Sequence, residues 1–160
     1  MPPRAHVFAP LNNDFLFKSL SIPSSNYHCI DWWQNRDVTV RLPSASPSSP
    51  SDTEPRTIPT TFRLTCTPAQ HWGNRHIFDR WKTLWSSWAV ESNPIDAQTG
   101  VGVNGKEVVN KKVWFGGDTG YRSVRLGEDE NKVPVCPAFK QIGDKFGGFD
   151  LALIPIGCVF

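Results

Sequence analysis

Short β-type runs, separated by proline, glycine and asparagine, are the feature that most restricts the fold of this chain. Apolar or alternating segments occur at 6–10, 27–33, 37–42, 60–72, 82–91 and 149–157, and another such run, 113–115, leads into two glycines. Runs bounded by turn residues are typical of strands. The last segment, Phe149–Gly157, is almost continuously apolar, so we predict a buried strand there.

Two segments predict helices. Asn12–Leu20 begins with asparagines that can cap a short helical turn. Cys136–Gly148 is the clearer helix, because Pro137 suits its first turn, phenylalanine and isoleucine line one face, and Gly147 ends it. Strands outnumber helices, and the predicted fold class is α+β.

Composition limits the chain to one domain and excludes some partners. The 160 residues carry 17 basic and 15 acidic side chains, a balance that does not favour nucleic acid as a partner. The proline- and serine-rich segment at about 43–59 is predicted to be a disordered insertion. The four cysteines are widely spaced, which favours free thiols in a reducing, intracellular compartment.

Two residues are candidate metal ligands because each follows a predicted strand. Asp118 comes directly after Gly116 and Gly117, where a carboxylate can bind a cation or can close an Asx-turn on nearby amides. His71, before Trp72, is either a ligand or a structural histidine. The residues alone leave both alternatives open.

Several motifs, taken in order, resemble one family. The segments TPAQHW, TLWSSW, WFGGDTGY and CPAFKQIGDKFGGFDLALIPIG, with HVFAPL and IDWW before them, are similar to those of the N-acyl-phosphatidylethanolamine-hydrolysing phospholipases D. That family belongs to the metallo-β-lactamase fold superfamily. The resemblance covers nearly the whole chain except the proline- and serine-rich insertion, 92–110 and 122–135.

The resemblance implies a four-layer αββα sandwich with a two-zinc site at one edge. It implies that His71 is a metal ligand and that Asp118 bridges the two zinc ions. Arg75 and Tyr121 resemble family positions near the phosphate end of the site, and the planar fork of an arginine pairs well with two phosphate oxygens.

The chain departs from the family pattern at both ends. A histidine-rich metal motif would precede HVFAPL, a last histidine ligand would follow IPIG, and Cys158–Phe160 stand where the family has a different sequence. We therefore expect residues 1–160 to form a partial metallo-β-lactamase-like domain that lacks both ends. A catalytic zinc needs three protein ligands and an open position, so this fragment is expected neither to retain zinc nor to be active.

The resemblance implies zinc-dependent hydrolysis of N-acyl-phosphatidylethanolamine to phosphatidic acid and an N-acylethanolamine. It also implies a phospholipid partner and peripheral association with an intracellular membrane, the mitochondrial membrane being one candidate. Two alternatives stay open, namely a non-enzymatic fragment or pseudoenzyme, and another hydrolase of this fold acting on a thioester, a lactone or nucleic acid. The seven tryptophans could line a lipid cavity, although aromatic residues more often form the core.

Overall fold

The computed structural model describes residues 5–43, 57–71, 82–92 and 110–155. These ranges contain two β-sheets and two α-helices, and this mostly stranded content confirms the predicted α+β class. The elements in chain order are β1 (Val7–Pro10), α1 (Asp14–Ser19), β2 (Tyr27–Ile30), β3 (Asn35–Pro43), β4 (Thr57–Thr67), β5 (Ser87–Ser92), β6 (Lys112–Phe115), α2 (Pro137–Phe146) and β7 (Leu151–Leu153).

The larger sheet has five strands in the order β3-β4-β5-β6-β7. Neighbouring strands are antiparallel from β3 to β6, whereas β7 runs parallel to β6, with Val113 opposite Leu151. Helix α2 lies between β6 and β7 in the chain, as a parallel pair requires a crossover connection. Because β5 is antiparallel to both neighbours, the end of β4, the start of β5 and the end of β6 lie side by side at one end of the sheet.

The core lies between α2 and one face of this sheet. Ala89 of β5 and Trp114 of β6 pack with Ile142 and Phe146 of the helix. Helix α2 matches its prediction closely, because Pro137 occupies its first turn and Gly147 ends it in the left-handed region at φ 68°. Trp114 is buried, as expected for a core tryptophan.

Strand β7 contradicts the prediction that this segment is buried. Its side chains are exposed, with Leu151 at 52% and Leu153 at 49%. Among the described strands, β7 is the outer one. In the register, Leu151 and Leu153 share a face with Val113 and Phe115 rather than with Trp114 and its helix. An apolar run here therefore marks an uncovered sheet face within the described part of the chain.

Strands β2 and β5 are shorter than predicted, and β4 (Thr57–Thr67) both begins and ends earlier than the predicted 60–72. Strand β2 ends at Ile30, because Asp31–Gln34 forms a turn in which Trp33 has a φ of 69° and the Gln34 amide donates to the Asp31 carbonyl. Strand β5 begins at Ser87 rather than Lys82.

The smaller sheet pairs β1 with β2 in parallel, and α1 connects them. Phe17 of α1 is buried, and its ring lies 5.3 Å from that of Tyr27. Asn13 occupies the capping position of α1 without capping it. Its side chain instead donates to the carbonyls of Pro10 and Leu11.

The predicted insertion at about 43–59 overlaps the paired strands at both of its ends, because Pro43 of β3 is opposite Thr57 of β4. Its interior lies outside the described residues, as does 103–108, the segment VNGKEV, whose Asn-Gly pair predicts a weak hairpin.

Candidate functional site

A buried cluster of hydroxyl groups holds the ends of β4, β5 and β6 together. The hydroxyl oxygens of Thr67 and Ser87 are 2.7 Å apart, and both residues are fully buried. Ser87 donates to the Pro68 carbonyl at 2.7 Å, and the Trp114 indole N–H lies 3.3 Å from the Ser87 oxygen. These bonds hold three neighbouring strands together at the place where the chain continues from β4 to His71 and from β6 to Asp118.

Two glycines carry the chain from β6 to Asp118. Gly116 is buried, and a Cβ there would lie 3.2 Å from the Trp114 ring. Its amide donates to the Leu153 carbonyl at 2.9 Å, next to β7. Gly117 has a φ of 63°, a conformation that favours glycine over other residues. The sequence GGD therefore forms a tight turn against the sheet edge.

The segments that carry His71 and Asp118 are joined by two hydrogen bonds. The Gln70 amide donates to the Thr119 hydroxyl at 2.8 Å, and the Gly120 amide donates to the Gln70 carbonyl at 3.0 Å. Thr119 is itself buried. The immediate neighbours of both candidate ligands thus meet at one point of the fold.

Asp118 is exposed and His71 is half-buried. An Asx-turn would require the Asp118 carboxylate to accept from a nearby amide. No hydrogen bond to this carboxylate comes from the residues that the structure describes. The hydroxyl of Thr119, not the carboxylate of Asp118, bonds to the backbone at this junction.

Of the two residues predicted to lie near the phosphate, Tyr121 is within the described residues and Arg75 is not. Tyr121 is exposed, its ring lies 5.9 Å from that of Phe139, and its carbonyl accepts from the Cys136 amide. Arg75 lies outside the described residues. The guanidinium of Arg122 lies 5.8 Å from the Tyr121 ring centre, so a cation adjoins this tyrosine.

An open depression of about 740 Å³ adjoins the junction at Gln70. Its wall includes the cations Arg125 and Lys132 and the anions Glu128 and Asp129. The charges of these four side chains sum to zero, so the depression has no net charge that would favour binding of an anion or of a cation.

The described residues do not complete a zinc site. Imidazole and carboxylate are suitable zinc ligands, so His71 and Asp118 fit the chemistry. Within 5–43, 57–71, 82–92 and 110–155, however, no three or more histidine, cysteine, aspartate or glutamate side chains are grouped to hold a metal ion. Two ligands are fewer than a catalytic zinc requires.

Sequence reasoning missed Gln70 and Thr119, which connect the two candidate segments. Each is next to a residue that it did identify. A threonine hydroxyl directly after a turn aspartate is a common backbone partner, and that signal was available in GGDTGY.

Comparison with known proteins gives a partial match. A stretch of 97 residues, 61% of this chain, is 37% identical to the N-acyl-phosphatidylethanolamine-hydrolyzing phospholipase D 1 of Caenorhabditis elegans, and it covers 19% of that protein. Uncharacterized proteins of Mycobacterium tuberculosis and Mycobacterium bovis are each 29% identical over 154 residues, 96% of this chain and 27% of theirs. No protein-family model matches the chain.

The chain spans about a fifth to about a quarter of the length of these relatives. The match to the worm protein links it to the metallo-β-lactamase family that its motifs resemble and suggests a relationship with hydrolases. Separately, none of the helices in the described ranges is long and apolar enough to cross a membrane.

Proposed function

We propose that this chain is part of a zinc-dependent phosphodiesterase that hydrolyses N-acyl-phosphatidylethanolamine to phosphatidic acid and an N-acylethanolamine. The observation that carries the proposal is the junction of Gln70 with Thr119 and Gly120, beside both candidate ligands. The similarity to the worm phospholipase D supports the same substrate class.

In this proposal His71 would hold one zinc ion and Asp118 would provide a carboxylate oxygen to each of two. A carboxylate has an oxygen for each ion, whereas one imidazole nitrogen binds a single ion. The unpaired, exposed carboxylate of Asp118 suits such a task, since it need not give up a bond within the described fold. Further ligands would have to come from outside the described residues, and the 160-residue chain by itself is proposed to hold no catalytic zinc.

We place Tyr121 and Arg75 at the phosphate end of the site. The resemblance suggests both assignments, and the Arg122 cation beside Tyr121 supports a preference for a negatively charged group there. When bound, the zinc ions would polarise the phosphate and lower the pKa of water.

The proposed partner is a phospholipid, met by peripheral association with an intracellular membrane. The exposed face formed by Phe115, Leu151 and Leu153 is an apolar surface consistent with such contact. The mitochondrial membrane is one candidate location. Nucleic acid is not proposed as a partner.

The test uses a chimera in which this chain replaces the matching region of the worm phospholipase D. The chimera, its Asp118→Asn and His71→Ala variants, and an Asp144→Asn control are compared for zinc content and for hydrolysis of N-acyl-phosphatidylethanolamine. Asp144 is a suitable control because it is an exposed helical aspartate paired with Lys140.

We expect the chimera and its Asp144→Asn control to hydrolyse the lipid, Asp118→Asn to lose both zinc and activity, and His71→Ala to lose part of the zinc. An inactive but folded chimera would overturn the proposed substrate. Normal zinc and rate in Asp118→Asn would overturn the bridging role alone. Hydrolysis by the isolated 160-residue chain would overturn the proposal that it lacks a catalytic site.

A further inference from the structure

A pair of histidines lies on the smaller sheet, which carries none of the candidate site residues discussed so far. His28 is in β2 opposite Phe8 of β1, and His6 comes just before β1. Residues two apart in an extended segment point to the same face, so His6, Phe8 and His28 share one face. The Asn26 side-chain amide donates to the Ala5 carbonyl at 3.1 Å and so links the segments that precede β1 and β2.

The geometry of the pair is close to that of two ligands on one ion. Nδ1 of His6 and Nε2 of His28 are 3.0 Å apart, and the two rings are stacked with centroids 5.3 Å apart. A metal that binds two nitrogens at 2.0–2.1 Å, with an angle between right and tetrahedral, separates them by about 2.8–3.4 Å. The Phe8 ring, 4.7 Å from that of His28, restricts the orientation of this imidazole.

We propose that His6 and His28 form a two-histidine site for a late first-row divalent metal ion, with water in the remaining coordination positions. Copper, nickel and zinc ions are the chemical class that imidazole nitrogens bind. The site uses neither His71 nor Asp118 and does not depend on the proposed function. By joining β1 to β2, a bound ion would cross-link the smaller sheet.

The change from hydrogen bond to chelate needs a redistribution of protons and a rotation of both rings. In the metal-free pair, one of the two facing nitrogens carries a hydrogen and the other accepts it. On metal binding, His6 binds through Nδ1 and keeps its proton on Nε2, while His28 binds through Nε2 and keeps its proton on Nδ1. Two neutral imidazoles therefore bind the ion without releasing a proton, after small ring rotations that turn both lone pairs toward it.

The test compares two variants with the same number of histidines. The chain has four, His6, His28, His71 and His76. H71Q/H76Q keeps only the proposed pair, and H6Q/H28Q keeps only the other two. Each 160-residue chain, checked for matching far-UV circular dichroism, is titrated with Cu²⁺, Ni²⁺ and Zn²⁺ by calorimetry, and the Cu²⁺ complex is examined by electron paramagnetic resonance.

We expect H71Q/H76Q to bind one Cu²⁺ with two nitrogen ligands and H6Q/H28Q to bind it about tenfold or more weakly, because two linked ligands raise each other's effective concentration. Affinity should be highest for Cu²⁺, as the usual order for divalent ions requires. The single variants H6Q and H28Q should each lose as much affinity as the double variant. Equal affinities of the two double variants would overturn the proposal. So would single-variant losses in binding free energy that are each only half the loss of H6Q/H28Q.

Discussion

Replacing Ser87 with alanine tests whether the buried hydroxyl cluster stabilises the sheet edge that presents the candidate site. The Pro68 carbonyl can only accept, so the Ser87 hydroxyl donates its hydrogen there. Thr67 must then donate to Ser87, and the Trp114 N–H points at the same oxygen. One serine oxygen therefore takes part in three hydrogen bonds, all of them buried.

The magnitude follows from counting these bonds. A buried hydrogen bond contributes about 1 kcal/mol net, so Ser87→Ala should lower the free energy of unfolding by about 3 kcal/mol. That corresponds to roughly two orders of magnitude in the unfolding equilibrium constant. The nearly isosteric Thr67→Val removes the donor to Ser87 and the longer bond that Thr67 accepts from the Trp114 N–H at 3.4 Å, but it leaves the bonds of Ser87 with Pro68 and Trp114. It should therefore cost about 1–2 kcal/mol.

The assay is urea unfolding of the wild-type chain and both variants, followed by tryptophan fluorescence and by far-UV circular dichroism. The decisive quantity is the difference between the two variants. A Ser87→Ala variant no less stable than Thr67→Val would refute the assignment of Ser87 as the centre of the cluster.

The remaining predictions concern backbone conformation and one thiol. Gly143→Ala in α2 should raise the free energy of unfolding by about 0.5–1 kcal/mol, because a Cβ there meets no atom within 4 Å. Gly117→Ala should lower it by about 1–2 kcal/mol because of the positive φ of Gly117. Urea midpoints of the two variants that move in the same direction would contradict this. Burial raises the pKa of the Cys66 thiol from 9.0 to about 11. Its contribution to stability is complete below pH 9 and falls as the pH rises to about 11, since the unfolded chain loses the proton first. Urea midpoints of the wild-type chain and Cys66→Ala across this range should converge, and parallel curves would argue against the assignment.

Local signals predicted the elements that depend on local chemistry. Helix α2 was predictable because a proline at its start, an apolar face and a glycine after its end all lie within the segment itself. The strand before Asp118 was predictable in the same way. The start of β5 was not, because residues just before it bond to distant parts of the chain. Leu84 donates to the Leu11 carbonyl, and the Trp85 carbonyl accepts from the Trp32 indole.

The residue types of the candidate site were predictable from the sequence, but the contacts that bring its segments together were not. The chemistry of a histidine and an aspartate after strands indicated His71 and Asp118 from the sequence. The bond between Gln70 and Thr119 joins residues 49 positions apart, and no local pattern specifies such a contact. The exposure of β7 had the same kind of cause, since an apolar run does not tell which strand forms the edge of a sheet.

The parallel pairing of β7 with β6 has a consequence for the order in which the larger sheet assembles. The β3–β4 pair can start from Pro43 and Thr57, 14 residues apart, whereas Val113 and Leu151, which pair β6 with β7, are 38 residues apart. Loop closure over the longer segment costs about 0.9 kcal/mol more entropy, by logarithmic scaling with length. With only three residues and a single neighbour among the described strands, β7 should join the sheet last and detach first. The Leu153 carbonyl that holds Gly116 would leave with it, so fraying of β7 would release one support of the turn that carries Asp118.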